Sequence, residues 1–162
     1  MTIVKLGDVL KKEREKKGLS VEEVASAVGI PQGDYERLEG GSSEAEKWGP
    51  LLAQIAIELE TPTARLLAES GRSTDCKPGQ AGGLIHAHRE RRGKSAEQLQ
   101  EALANNDLLD ADSGDFAQVE SGESPIETVG PQLLAFAETI EQPVFNLFYP
   151  CGLPFQELDD YP

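Results

Sequence analysis

The 162-residue, 17.5 kDa chain carries 29 Asp and Glu against 15 Lys and Arg, a formal charge of -14. That length excludes anything larger than one medium domain or two small ones, and the charge opposes a polyanion overall, leaving only a locally positive face for nucleic acid while favouring basic protein partners. No run approaches the roughly 18 apolar residues of a membrane span, and no short hydrophobic block opens the chain, so no membrane role and a cytoplasmic location are expected.

Residues 5–18 place Leu6 and Leu10 at four-residue spacing on an otherwise charged stretch, which predicts a surface helix stopped near Gly18. Ser20 stands three residues before Glu23, the spacing of a capping box, so a second helix starts there, runs through Val24, Ala25 and Val28, and stops at Gly29. Pro31 restarts the chain as a first-turn residue of a third helix, buried through Tyr35 and Leu38 and ended by Gly40 and Gly41. From about Glu44 to Leu59, the residues Trp48, Leu51, Leu52, Ile55, Ala56 and Leu59 form a near-continuous apolar face. Pro62 opens a fifth helix anchored by Leu66 and Leu67. These five short helices make one domain over 1–68. Residues 69–82 are rich in Gly, Ser and Pro, have no apolar period, and read as a linker.

From Leu84 the pattern begins again. A shift of 75 residues carries Arg14 onto Arg89, Gly18 onto Gly93, Ser20 onto Ser95, Val24 onto Leu99 and Val28 onto Leu103. After six extra residues the shift becomes 81, and carries Tyr35 onto Phe116, Leu38 onto Val119, Glu39 onto Glu120, Gly41 onto Gly122, Gly49-Pro50 onto Gly130-Pro131 and Ile55 onto Phe136. Each matched type answers a packing or backbone requirement, so the recurrence reads as a duplication. A second, diverged domain spans 83–149, with the insertion in ANNDLLDADSGD between its second and third helices. Residues 150–162 form a Pro-containing tail that, with Phe148, Tyr149, Phe155 and Tyr161, is expected to pack over a helical face, of this chain or of a second subunit. Aliphatic cores this small gain from packing between the halves or from a homodimer. Cys76 and Cys151 fit neither a disulfide scaffold nor a metal cluster and read as free thiols.

The stretch L-x-x-x-L-K-x-x-R-E-x-x-G-L-S-x-E-E-V-A-x-x-V-G-I from Leu6 to Ile30, followed by Y-E-R-L-E-x-G and L-L-A-x-I-A-x-x-L, resembles the helix-turn-helix domain of the Xre family, the group of Cro and phage repressors. The second half is similar but degraded, keeping R-E-x-x-G-K-S-A-E-Q-L-Q-x-A-L and F-A-Q-V-E-S-G. The resemblance implies an all-α chain of two tandem lambda-repressor-like five-helix domains, and DNA binding by the third helix laid in the major groove, commonly by two units about a two-fold axis. One chain with two units could imitate such a dimer. It also implies structural ion pairs between Arg14 and Glu39 and between Arg89 and Glu120, in which a planar guanidinium meets a carboxylate.

On the first unit the third helix presents Gln32, Gly33, Asp34, Glu36 and Arg37. Gln32 can pair with adenine, Arg37 can reach a guanine edge or a phosphate, and Glu36 can accept from a cytosine amine. Lys11, Lys12, Lys16 and Lys17, with Lys5, are either phosphate contacts or a solvated helix face, and His86, His88, Arg91, Arg92 and Lys94 form a related cluster. The second unit offers Ala117, Gln118 and Ser121, no basic residue, and a connection holding Asp107, Asp110, Asp112 and Asp115. His86 and His88 do not share a helix face, and no nucleophile–base pattern or phosphate-cradling glycine motif occurs, so neither metal, cofactor nor catalysis is expected.

Two functions remain open at this level. One is a transcriptional regulator that binds a DNA operator through the first unit, with the second structural or dimer-forming. The other is an acidic adaptor, antirepressor or assembly factor that has kept the fold and lost DNA binding, since function resides in sites rather than folds.

Overall fold

A computed structural model describes residues 5–104, 113–142 and 147. Its helices are α1 Leu6–Lys16, α2 Val21–Val28, α3 Gln32–Gly40, α4 Ala45–Leu59, α5 Thr63–Leu67, α6 Gln80–Arg91, α7 Ala96–Ala104, α8 Ser113–Ser121 and α9 Ile126–Thr139, with a 3-10 turn at Ser73–Asp75. The described residues form an all-α structure without a strand.

Local chemistry sets the element ends. The Ser20 hydroxyl accepts from the Glu23 amide at 3.0 Å while the Glu23 carboxylate accepts from the Ser20 amide at 2.9 Å, closing the capping box of α2. Gly29 takes a left-handed conformation beyond α2, where a Cβ would be strained. Pro31 and Pro62 stand one residue before α3 and α5 as N-caps, rather than inside the first turn. Helix α6 begins at Gln80, inside the stretch whose composition reads as linker. The preceding 3-10 turn also packs, because the Ser73 amide donates to Glu138 of α9 at 2.8 Å. Cys76 is a free thiol against the core, and burial pushes it up to about 11.

Two sets of helices use the same bonds. In α1–α4, the amides of Leu6 and Gly7 donate to the Glu46 carboxylate at 3.0 and 2.8 Å; in α6–α9, the amides of Ala81 and Gly82 donate to Glu127 at 3.3 and 2.9 Å. A carboxylate thus satisfies open N–H groups at each helix start, where the dipole favours negative charge. Gly7 lets α1 touch α3: a Cβ there would lie 2.5 Å from the carbonyl oxygens of Leu38 and Glu39, and Gly82 meets the carbonyl oxygen of Val119 in the same way. The Ser20 box recurs as Ser95 with Gln98.

The sets then interlock. Helix α4 lies along α9, α2 packs on α9, α7 on α4, and α5 on α6, so a single apolar cluster runs from Leu6 to Leu147. Tyr35 of α3 stacks on Phe136 of α9 with ring centroids 6.2 Å apart. At the margins Lys17 meets Glu141 at 3.3 Å and Arg92 meets Glu60 at 3.6 Å. These two pairs are related by the sequence shifts of 75 and 81, so the contact is reciprocal. Arg92 and Lys94 also donate to the carbonyls of Glu60 and Glu58 at 2.9 and 2.7 Å, closing the C-terminal end of α4.

Candidate nucleic-acid interface

Helix α3 follows α2 across the three-residue turn Gly29–Pro31. Tyr35 and Leu38 anchor it in the core, at 0% and 5% exposure, and this spacing leaves Gln32, Gly33, Glu36 and Arg37 outside, with Asp34 half-buried. The outer residues form two stripes. Gln32 Nε2 donates to Glu36 Oε1 at 3.4 Å, and Arg37 donates to Asp34 one turn away. Both pairs are exposed and therefore weak, so DNA could displace either at small cost. The Asp34–Arg37 stripe borders a groove of about 380 Å³ whose far wall is Thr128, Val129 and Gln132 of α9.

The lysines of α1 are all exposed. Lys16 lies 3.5 Å from Glu13 and Lys17 meets Glu141, whereas Lys11 and Lys12 have no ion-pair partner among the described residues. Residues 1–68 hold nine of the 15 basic residues and 12 of the 29 acidic ones, so most of the excess negative charge falls later in the chain.

Arg14 faces the protein. Its Nε lies 2.6 Å from Glu39, a second nitrogen donates to the same carboxylate at 3.2 Å, and a third donates to the Leu19 carbonyl at 2.8 Å. The hydrogen bond to Glu39 raises the guanidinium's already high pKa. Arg89 repeats the arrangement with Glu120 at 2.5 and 3.0 Å and the Lys94 carbonyl at 2.9 Å. One addition distinguishes the second set. His86 places Nδ1 2.8 Å from Glu120 and Nε2 2.6 Å from Glu90. The Glu120 bond raises the His86 pKa against partial desolvation. Burial pushes Glu120 up, but hydrogen bonds from Arg89 and His86 outweigh it and hold the carboxyl below its ordinary range.

Helix α8 buries Phe116 and Val119 and exposes Ala117, Gln118 and Ser121, with no basic residue from Ser113 to Ser121. Asp107, Asp110, Asp112, the Asp115 side chain, Cys151 and the aromatic tail lie outside the described residues. Sequence reasoning missed Glu46 and Glu127. Their signal was available, since the 81-residue shift carries one onto the other, three residues beyond Gly-Ser-Ser in the first half and beyond Gly-Glu-Ser in the second. It also missed the α9 wall beside Arg37, which arises from a long-range contact with no local trace.

A family model described as a helix-turn-helix domain matches residues 5–53, which span α1 to the middle of α4. No curated protein and no solved structure matches the chain. The buried Tyr35–Leu38 anchor, the short turn and the exposed α3 place this N-terminal segment in the helix-turn-helix class. More narrowly, it is an Xre/Cro-type helix-turn-helix domain, consistent with DNA-binding regulation. Such domains are non-catalytic, and no group of His, Cys, Asp and Glu among the described residues could hold a metal ion. No described helix is long and apolar enough to cross a membrane.

Proposed function

We propose that the chain is a cytoplasmic DNA-binding transcriptional regulator that reads its operator with α3, and that α6–α9 with the segment to residue 149 are a diverged second copy of the same lambda-repressor-like unit. The observation that carries the reading is the outward polar face of α3 on a matched helix-turn-helix. Gln32, Arg37 and Glu36 contact base edges; Lys11, Lys12, Lys16 and Lys17 contact phosphates. Arg14–Glu39 and Arg89–Glu120 hold each third helix against the first. The recurring carboxylate clasps, capping boxes and glycine contacts support the duplication.

The second unit's α8 contributes no cation to a reading face. The operator is therefore expected to be one half-site rather than a palindrome. A homodimer of the chain would instead pair two first units and restore palindromy; mass in solution between about 1 and 100 micromolar, compared with operator symmetry, separates these arrangements.

The test is selection of genomic fragments followed by fluorescence anisotropy across salt. Micromolar or tighter binding is expected, with log K falling by about 0.9 per phosphate contacted for each decade of salt. Arg37→Ala should relax base preference at one position, and Lys12→Ala should reduce the salt slope by about one without changing preference. Absence of binding at about 20 mM salt would overturn the proposal. That outcome would favour the acidic adaptor with a basic protein partner, a reading supported by Arg37 being paired with Asp34 and by the net charge.

A further inference from the structure

We propose that the cleft between α5 and α6 is a binding site for a small organic anion, a phosphate monoester or a carboxylate, gripped by Arg65 and Arg91 beside His88. The open cleft offers about 680 Å³, a volume suited to a small organic ligand. Its α6 wall is formed by Leu84, His88, Arg91 and Arg92, at spacings of one helix face, and the opposite wall includes Pro62 and Arg65.

The arginines differ in availability. Arg92 is committed to Glu60. Arg65 is oriented by one bond to the Glu69 carbonyl at 2.7 Å, which leaves its remaining N–H groups open. Arg91 has no hydrogen-bond or ion-pair partner among the described residues. Guanidinium forks match the oxygens of phosphate or carboxylate, and Leu84 and Pro62 supply apolar surface for the rest of the ligand. Three arginines against Glu60 and Glu69 leave the cleft lining with one net positive charge in a chain of net charge -14.

The counterpart face on α1 carries Val9, Glu13, Lys16 and Lys17, and there Glu13 takes Lys16 at 3.5 Å. The anion-holding set is thus present once per chain. His88 supplies a reporter. Burial lowers its pKa, and Arg91 and Arg92 lower it further. The groups facing it across the cleft are Glu60, Arg65 and Glu69. An anion seated between the arginines cancels their repulsion, so His88 takes up a proton more readily in the complex.

The experiment is calorimetric titration of the full chain at constant ionic strength with inorganic phosphate and with phenyl phosphate, and histidine NMR across pH. One-to-one saturation is expected, with phenyl phosphate tighter than phosphate. Arg91→Ala and Arg65→Ala should each weaken binding by about tenfold, as for loss of a charged hydrogen bond. Both residues are exposed, so an unchanged melting temperature certifies the fold. The His88 pKa should rise on saturation. Equal responses of wild type and Arg91→Ala, or a His88 pKa that does not move, would defeat the proposal; phosphate binding without a gain from the phenyl ring would reduce the site to one for free phosphate and overturn the organic ligand.

Discussion

Glu46 and Glu127 perform one task at two places, each carboxylate holding two amides at a helix start, whereas Arg37 and Gln118, equally matched by the 81-residue shift, share nothing. The difference separates two kinds of constraint. Groups that close a helix end or fill a helix crossing have no substitute, because a buried amide without an acceptor costs on the order of 1 to 3 kcal/mol. Exposed groups on α3 and α8 have water as an alternative partner. They are not held to one identity, and only α3 carries a basic residue on its outer face.

The sharpest way to break the likeness is to remove the arginine from each ion pair. Arg14→Ala leaves Glu39 without its partner in a site where both side chains are nearly buried, at 12% and 10% exposure, and should cost about 3 kcal/mol in chemical denaturation. Arg89→Ala should cost less, because Glu120 keeps His86 at 2.8 Å. Equal losses from the two variants would show that the histidine adds nothing. Next come the helix crossings. Gly7→Ala and Gly82→Ala each drive a methyl into backbone carbonyls, with an expected loss of about 2 kcal/mol apiece, and a neutral result at either would mean that α1 or α6 can move away from its partner.

Smaller effects refine the comparison. Ser20→Ala and Ser95→Ala should each cost about 1 kcal/mol, read as a fall in melting temperature, since both remove a capping hydroxyl. The least is a pH dependence confined to the second set. His86 has a folded pKa above its ordinary 6.5, so its stabilisation is complete below the unfolded value and is lost as pH rises through the folded one. His88, lowered by burial and by its arginines, works oppositely, its contribution being present at higher pH and lost as pH falls through its folded value. Subtracting melting curves of His86→Asn from wild type isolates the first effect. The difference should be positive near pH 5.5 and fade towards pH 8; a flat difference would remove His86 from the account.

Local signals carried the first five helices. The Ser20–Glu23 box, the glycine stops and the Leu6–Leu10 stripe each act over four or five residues, so the sequence states them directly. The beginning of α6 was hidden because Gln-Ala-Gly-Gly is a poor helix former in isolation. Tertiary demands override that propensity: Glu127 binds the amides of Ala81 and Gly82, and contact with α8 leaves no room for a Cβ at Gly82. For the candidate interface, the outward placement of Gln32, Glu36 and Arg37 follows from the Tyr35–Leu38 spacing. The groove beside Arg37 and the closure of α4 by Arg92 and Lys94 join residues far apart in the chain, and no periodicity reports such meetings.

Helices α4 and α9 meet as parts of one molecule, and that has a consequence for gene dosage. An association between separate subunits dissolves on dilution, while one between tethered segments keeps a fixed effective concentration set by the intervening chain. The seam bordered by Lys17–Glu141 and Arg92–Glu60 therefore stays shut at a handful of copies per cell. Because its two sides are encoded separately, a mutation on one side appears once rather than twice, and each half can change without forcing the same change on the other.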